Sequence, residues 1–306
     1  MIRSGQRAEL VRVFKERCQP LSALPTSLSP QLPPADKSIR AVLFDIYGTL
    51  VCSNVGDISL DQTAQKSELL RDLITDVGFP WRQESSPVNL ATVFNKHIQA
   101  INQTARAKGI PHPEVDILEV WSHLIANWTG VDLTNTSNQE RLQRLAVEYE
   151  CAVNPVWPST GLEDVLATCQ QHHCVIGLVS NAQFYTPIMM ESFLGKTLEE
   201  AGFPTDLQVW SYQERRGKPD SSLFEKIARN LETRHGIAAC DALFVGNDCL
   251  KDVWAASQAG FRGVLYAGDA RSLRLRENDP RCRDLIPYAT VTSLAQIPLL
   301  IQSTEH

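Results

Sequence analysis

Five short apolar runs constrain this chain more than any other feature: IRAVLFDIYGTL at 39–50, CVIGLVS at 174–180, LQVWS at 207–211, ALFVG at 242–246 and GVLYAG at 263–268. They are short and almost uniformly apolar, which reads as strands buried on both faces. Helical patterns over 160–172, 186–201, 220–235 and 249–259 precede or separate the later runs. Alternating strand and helix imply an α/β fold with a Rossmann-like parallel sheet.

The stretch between the first and second runs, 56–154, reads as mostly helical, from LDQTAQKSELLRDLITDVG to NQERLQRLAVEYE. A helical block lodged between two strands of one sheet is an inserted domain. Its ends return to adjacent strands, so it is placed to cap their carboxyl ends, where open parallel sheets bind ligands. Residues 38–55 and 155–306 then form the core. Residues 1–37 lie in front: a short amphipathic helix striped by Leu10, Val13 and Phe14, then a linker carrying Pro20, Pro25, Pro30, Pro33 and Pro34.

Composition excludes several classes of function. A formal net charge of -6 argues against a nucleic-acid footprint. No apolar stretch reaches the ~18 residues of a membrane span. The eight cysteines include no CxxC pair, so zinc-ribbon and redox spacings are absent, and Cys174 and Cys240 read as buried thiols beside strands. The basic start of the chain has no secretory pattern, and Glu9 and Glu16 count against an organelle transit sequence. A reducing cytoplasm is expected.

Four polar groups follow four of these strands. Asp45-Ile46-Tyr47-Gly48-Thr49 closes the first run and Ser180-Asn181 the second. Lys218, in Arg216-Gly217-Lys218-Pro219-Asp220, follows the third, and Gly246-Asn247-Asp248 with Asp252 follows the fourth. Each group alone has an ordinary reading as a turn or helix cap. Asp248 and Asp252 are four apart and share a face if a helix has begun there.

Together, FDIYGTL, GKPD and FVGNDCLKD, in this order, resemble the haloacid dehalogenase-like hydrolase superfamily over roughly residues 38–300. The resemblance implies that Asp45 is a nucleophile. It implies that Thr49, Ser180 and Asn181 hold the nucleophile or substrate and that Lys218 stabilises charge. Asp45, the Tyr47 main-chain carbonyl, Asp248 or Asn247, and Asp252 would form the environment of Mg²⁺. The register leaves Asn247 and Asp248 as alternatives for the metal. The substrate would be a small, anionic molecule, with neither nucleic acid nor membrane as partner.

Two reactions fit such a site. In the first, Asp45 attacks phosphorus, an aspartyl-phosphate forms, and Mg²⁺ assists. In the second, Asp45 displaces halide from a 2-haloacid without a metal. Tyr47 favours the second, because the family's phosphatases carry an aspartate there and its dehalogenases a tyrosine. Phe224, where those dehalogenases carry tyrosine, and the Gly-Asn-Asp sequence favour the first. Three carboxylates facing Lys218 as the sole assured cation also favour a metal. The phosphatase reading is preferred. Arg82 is the candidate halide partner if the second holds. A catalytically weakened binding protein of the same fold, and an unrelated α/β interaction protein, remain as alternatives. Trp121 and Trp128 read as packing within the insertion, and His112 and His172-His173 as loop residues. Arg271, Arg274 and Arg276 read as a solvated surface segment.

Overall fold

A computed structural model of the chain describes residues 2–54, 64–80 and 89–301. In chain order the strands are β1 (Ala41–Phe44), β2 (Val51–Ser53), β3 (Val156–Pro158), β4 (Val175–Ser180), β5 (Gln208–Trp210), β6 (Ala242–Gly246), β7 (Arg262–Tyr266) and β8 (Ala289–Val291). The helices are α1 (Ser4–Arg17), α2 (Ala64–Asp76), α3 (Leu90–Ala107), α4 (Ile117–Thr129), α5 (Thr136–Val153), α6 (Leu162–Gln171), α7 (Thr186–Leu194), α8 (Ser211–Glu214), α9 (Ser221–His235) and α10 (Ala255–Gln258).

Among the described residues, six strands form one parallel sheet in the order β5-β4-β1-β6-β7-β8. All four residues of β1 are buried. Val42 and Phe44 enter one core with α1, α5 and α7, while Ala41 and Leu43 enter a second with α9 and α10. Side chains alternate across a strand, so a central strand covered on both faces must be apolar at every position. This is the fold class implied by the apolar runs.

The sheet order creates a crevice. From β1 the chain moves outward to β4 and β5, and from β6 it moves the other way to β7 and β8. At such a switch point the loops diverge and leave an opening at the carboxyl edge. Asp45 directly follows β1, and Asn247 directly follows β6.

Helices α2 to α5 lie between β2 and β3, which pair antiparallel. The chain thus leaves and re-enters the core through one two-stranded ribbon. Helices α3, α4 and α5 start at Asn89, Asp116 and Asn135, whose side chains accept hydrogen bonds from Thr92, Leu118 and Asn138 N–H. Their shared core is aromatic: Trp121 lies 4.7 Å from Phe94 and 5.3 Å from Tyr149, ring centre to ring centre. Trp128 packs partly buried against it.

The N-terminal helix is fixed in place. Leu10, Val13 and Phe14 are buried against α5 and α7, and Arg7 and Arg17 pair with Glu191 at 2.5 Å and Glu148 at 2.7 Å. The proline-rich stretch is not a free linker. Gln31 exchanges backbone hydrogen bonds with Thr290, Asp36 N–H donates to the Leu300 carbonyl, and Leu24 N–H donates to Asp269. It therefore covers the sheet edge at β8, whose open backbone groups would otherwise remain unpaired.

The structure adds one strand to the sheet and changes two local expectations. Strand β8, within ATVTSLAQIPLL, has only three residues, too few for a periodic signal. The helical pattern 186–201 stops at Leu194, where Gly195 takes a left-handed φ of 67° and closes the helix. Cys174 is buried, whereas Cys240 is exposed. Among the described residues, no helix is long and apolar enough to cross a membrane.

Candidate active site

A cavity of about 340 Å³ opens at the switch point, within the usual size range of small-molecule sites. The core contributes Asp45, Tyr47, Asn181, Lys218, Asn247, Asp248 and Asp252 to its wall. Seven of the nine residues singled out in the sequence therefore face one space. The other two, Thr49 and Ser180, are fully buried behind it.

Lys218 organises the floor. Its Nζ lies 2.7 Å from Asp45 Oδ1 and 2.5 Å from Asp252 Oδ1, with all three side chains almost completely buried. Burial alone would lower the lysine's pKa. The Asp252 and Asp45 carboxylates outweigh that and push it up, so Lys218 stays an ammonium ion. Asn181 holds the lysine's backbone. Its Oδ1 accepts from Lys218 N–H at 2.6 Å, and its Nδ2 donates to the Lys218 carbonyl at 3.3 Å. Asn181 is thus a positioning residue for the lysine as well as part of the wall.

The first turn is braced from β6. Thr49 Oγ1 donates to Asn247 Oδ1 at 3.3 Å, and Asn247 Nδ2 donates to the Ser272 carbonyl at 2.6 Å. Thr49 therefore supports the turn from behind. Gly48 has a left-handed φ of 81°, and a Cβ there would meet Asn247 Nδ2 at 2.6 Å. Gly48→Ala should cost about 1–3 kcal/mol through strain and displacement of Asn247. Urea unfolding measures this, and unchanged stability would show that the turn does not need glycine.

After β6 the chain forms a π-helical turn over Cys249–Trp254. Val253 N–H reaches back to the Asp248 carbonyl at 3.2 Å, five residues away. Within this turn the two carboxylates, four residues apart, meet different cations. Asp252 folds back to accept from Asp248 N–H at 2.9 Å and to meet Lys218. Gly246 leaves room for this, since a Cβ there would lie 2.3 Å from Asp252 Cγ. Burial pushes the Asp252 carboxyl up to about 7, against the pull of Lys218.

Asp248 points elsewhere. It accepts from Leu250 and Lys251 N–H and pairs with Arg276, whose Nη2 lies 2.5 Å from Oδ2. Burial opposes ionisation of Asp248, but the guanidinium prevails and holds its pKa below the usual range. The arginine segment is therefore not simply solvated. Arg276 neutralises Asp248, Arg274 lines the cavity, and Arg271 pairs with Asp269 at 3.0 Å. Sequence reasoning missed Arg276 because 28 residues separate it from Asp248 with no periodic pattern between them.

These contacts bear on Mg²⁺, which prefers six oxygen ligands in near-octahedral geometry. Both Asn247 amide atoms are engaged, both Asp252 oxygens are bonded, and Asp248 is held by a guanidinium and two N–H groups. Among the described residues, no three His, Cys, Asp or Glu side chains form a group that could hold an ion. In this arrangement Arg276 competes with Mg²⁺ for Asp248, while one Asp45 oxygen lies outside the Lys218 pairing. A buried pairing through Lys218 and a half-buried one through Arg276 take up much of the charge that the sequence argument left to a metal.

Tyr47 is also committed. Its hydroxyl lies 3.0 Å from Thr186 Oγ1, and burial followed by nearby Glu150 raises its pKa well above the usual value. It is a poor proton donor to a leaving group. Phe224 lies in the core against Phe244, ring centres 4.9 Å apart, away from the cavity. Arg82 lies outside the described residues.

The far wall comes largely from the insertion: Ile98, Asn102, Glu114, Val115, Ile117, Glu150 and Asn154. None of these was singled out in the sequence. Glu150 did leave a trace there, because it falls on the same helical face as Leu142, Ala146 and Val153, which are all buried.

The profile of haloacid dehalogenase-like hydrolases matches residues 39–260. No curated protein matches the chain. Among solved structures, a 2-haloacid dehalogenase from Pseudomonas syringae pv. Tomato DC3000 is 19% identical with a TM-score of 0.51, covering 86% of this chain and 97% of that one. A HAD phosphatase from Thermococcus onnurineus is 16% identical with a TM-score of 0.47, covering 85% and 96%. The L-2-haloacid dehalogenase from Xanthobacter autotrophicus is also 16% identical, with a TM-score of 0.45, covering 86% and 98%. The first of these likenesses shows a shared fold.

Proposed function

We propose that this chain, which belongs to the haloacid dehalogenase-like hydrolase family, hydrolyses a small phosphate monoester through an aspartyl-phosphate on Asp45. The observation that carries this reading is the distribution of charge around the cavity. Lys218, Lys251 and Arg274 line it from the core, whereas the described lining residues of the insertion include no lysine, arginine or histidine. These cations share the core wall with Asp45, Asp248 and Asp252, and Lys251 and Arg274 add positive charge to that of Lys218. A departing halide would instead face the Glu114 and Glu150 side of the cavity.

Lys218 holds one Asp45 oxygen, leaving the other to attack phosphorus. The P–O bond to the ester oxygen breaks, and that oxygen leaves with the bonding pair and takes a proton from water. A second water attacks the aspartyl-phosphate phosphorus, loses a proton, and releases inorganic phosphate with the carboxylate restored. Ser180 Oγ, fully buried at the end of β4 behind the cavity, has no hydrogen-bond partner among the described residues.

The family generally uses Mg²⁺, which supplies charge neutralisation to phosphoryl transfer when bound. At Asp248 the ion would compete with Arg276. Arg276→Gln should therefore bind Mg²⁺ at least about fivefold more tightly than the wild type in calorimetric titration. Equal affinity would remove Asp248 from the ligand set.

The deciding experiment measures phosphate release from an aryl phosphate, with and without Mg²⁺, beside halide release from a 2-haloacid. Phosphate release that depends on Asp45 supports the reading. Metal-independent halide release in its place overturns it.

A further inference from the structure

Glu150 has no part in the proposed chemistry, yet it is a buried carboxylate on the wall of the same cavity as Asp45. Its Oε1 accepts from Asn154 Nδ2 and its Oε2 from the Tyr185 hydroxyl, each at 2.8 Å. These are neutral donors, and no ion pair to Glu150 exists among the described residues. A carboxylate has about four acceptor sites, so two hydrogen bonds leave capacity on both oxygens. Burial without a cation raises its pKa, as expected for a carboxyl lacking its counter-charge.

A second acceptor points the same way. Asn102, on α3, also lines the cavity, and its Oδ1 is buried with no partner among the described residues. Native structures rarely leave a buried acceptor unsatisfied, and a ligand donor is one explanation. Ile98, Val115 and Ile117 add apolar surface to the same wall. The cavity thus combines cations from the core with apolar and acceptor groups from the insertion.

We infer that the substrate is a short aminoalkyl phosphate, whose phosphoryl group meets Lys218 and whose protonated amine is held by Glu150 and Asn102. An ammonium group offers three N–H donors and one positive charge, which matches a cavity wall holding a carboxylate and an orphaned carbonyl oxygen. A neutral hydroxyl offers one donor and no charge. The inference rests on the phosphate-ester reading of this site, and it adds the identity of the leaving group.

Binding tests it without requiring turnover. The full chain is titrated by calorimetry with 2-aminoethylphosphonate and 2-hydroxyethylphosphonate, which share a non-hydrolysable C–P bond and differ at one terminal group. The amine should bind at least about tenfold more tightly, as expected for a charge-assisted contact in a buried site. In Glu150→Gln the ratio should fall to within about twofold, and in Asn102→Leu it should fall at least about threefold. The second variant keeps the test decisive if the first does not fold. Equal binding of the two phosphonates, or a preference that persists in the folded variants, overturns the inference and leaves the phosphate-ester reading standing. Failure of both phosphonates to bind overturns the two together.

Discussion

Asp45→Asn should lower aryl phosphate turnover by at least about 10⁴-fold, because it removes the nucleophile rather than a contact that assists it. The amide is nearly isosteric with the carboxylate, and Lys218 keeps its second partner, Asp252, at 2.5 Å. The variant should therefore fold, and loss of rate reports on chemistry. Wild-type enzyme stopped with acid during turnover should carry phosphate on Asp45, detectable as a mass increase that the variant lacks. Residual activity within about tenfold of wild type would show that another group attacks, and would end the assignment of Asp45.

Lys218→Met should have the largest effect on stability, about 3–5 kcal/mol by urea unfolding. The substitution leaves two carboxylates, Asp45 and Asp252, buried without the ammonium that both touch. Adding Asp252→Leu should restore part of the loss, since it removes one of the stranded charges. A double variant no more stable than the single one would show that packing, rather than charge, is at stake. The defect also depends on pH. Burial already raises the Asp252 carboxyl to about 7 in the presence of Lys218, and loss of the ammonium raises it further. A carboxyl whose folded pKa exceeds its unfolded value stabilises the fold when protonated, and that contribution fades as pH rises through the folded pKa. The Lys218→Met defect should accordingly be smaller near about pH 5 than near about pH 8.

Much of the fold was legible because its signals are local. A strand covered on both faces must be apolar almost throughout, and β1, β4 and β6 carry such runs, while β5 and β7 each include one polar residue, Gln208 and Arg262. Strand β8 was not legible, because three residues have no measurable period and its edge is completed by Gln31 from far away in sequence. The proline-rich composition of 20–36 correctly signals extended backbone but carries no information about docking. Hydrogen bonds to Thr290, Leu300 and Asp269 supply that.

The candidate site divides in the same way. Asp45, Asn181, Lys218, Asn247, Asp248 and Asp252 could be read because each follows an apolar run, and a parallel sheet aligns all its carboxyl ends on one edge. Geometry of the chain alone brings them together. Which cation faces which carboxylate was not legible, since charges act through space and ignore sequence order. Arg276, in an irregular loop, takes Asp248, and Lys218 takes Asp45 and Asp252. Asp252 accepts from Asp248 N–H at 2.9 Å yet meets Lys218, whereas Asp248 meets Arg276. The sequence by itself thus determined the parallel sheet and the groups at its edge, because burial and strand direction are properties of short segments. Only the tertiary structure decided how those charges are paired and that Glu150 and Asn102 face them, because packing of the insertion over the sheet brings together residues that no local pattern connects.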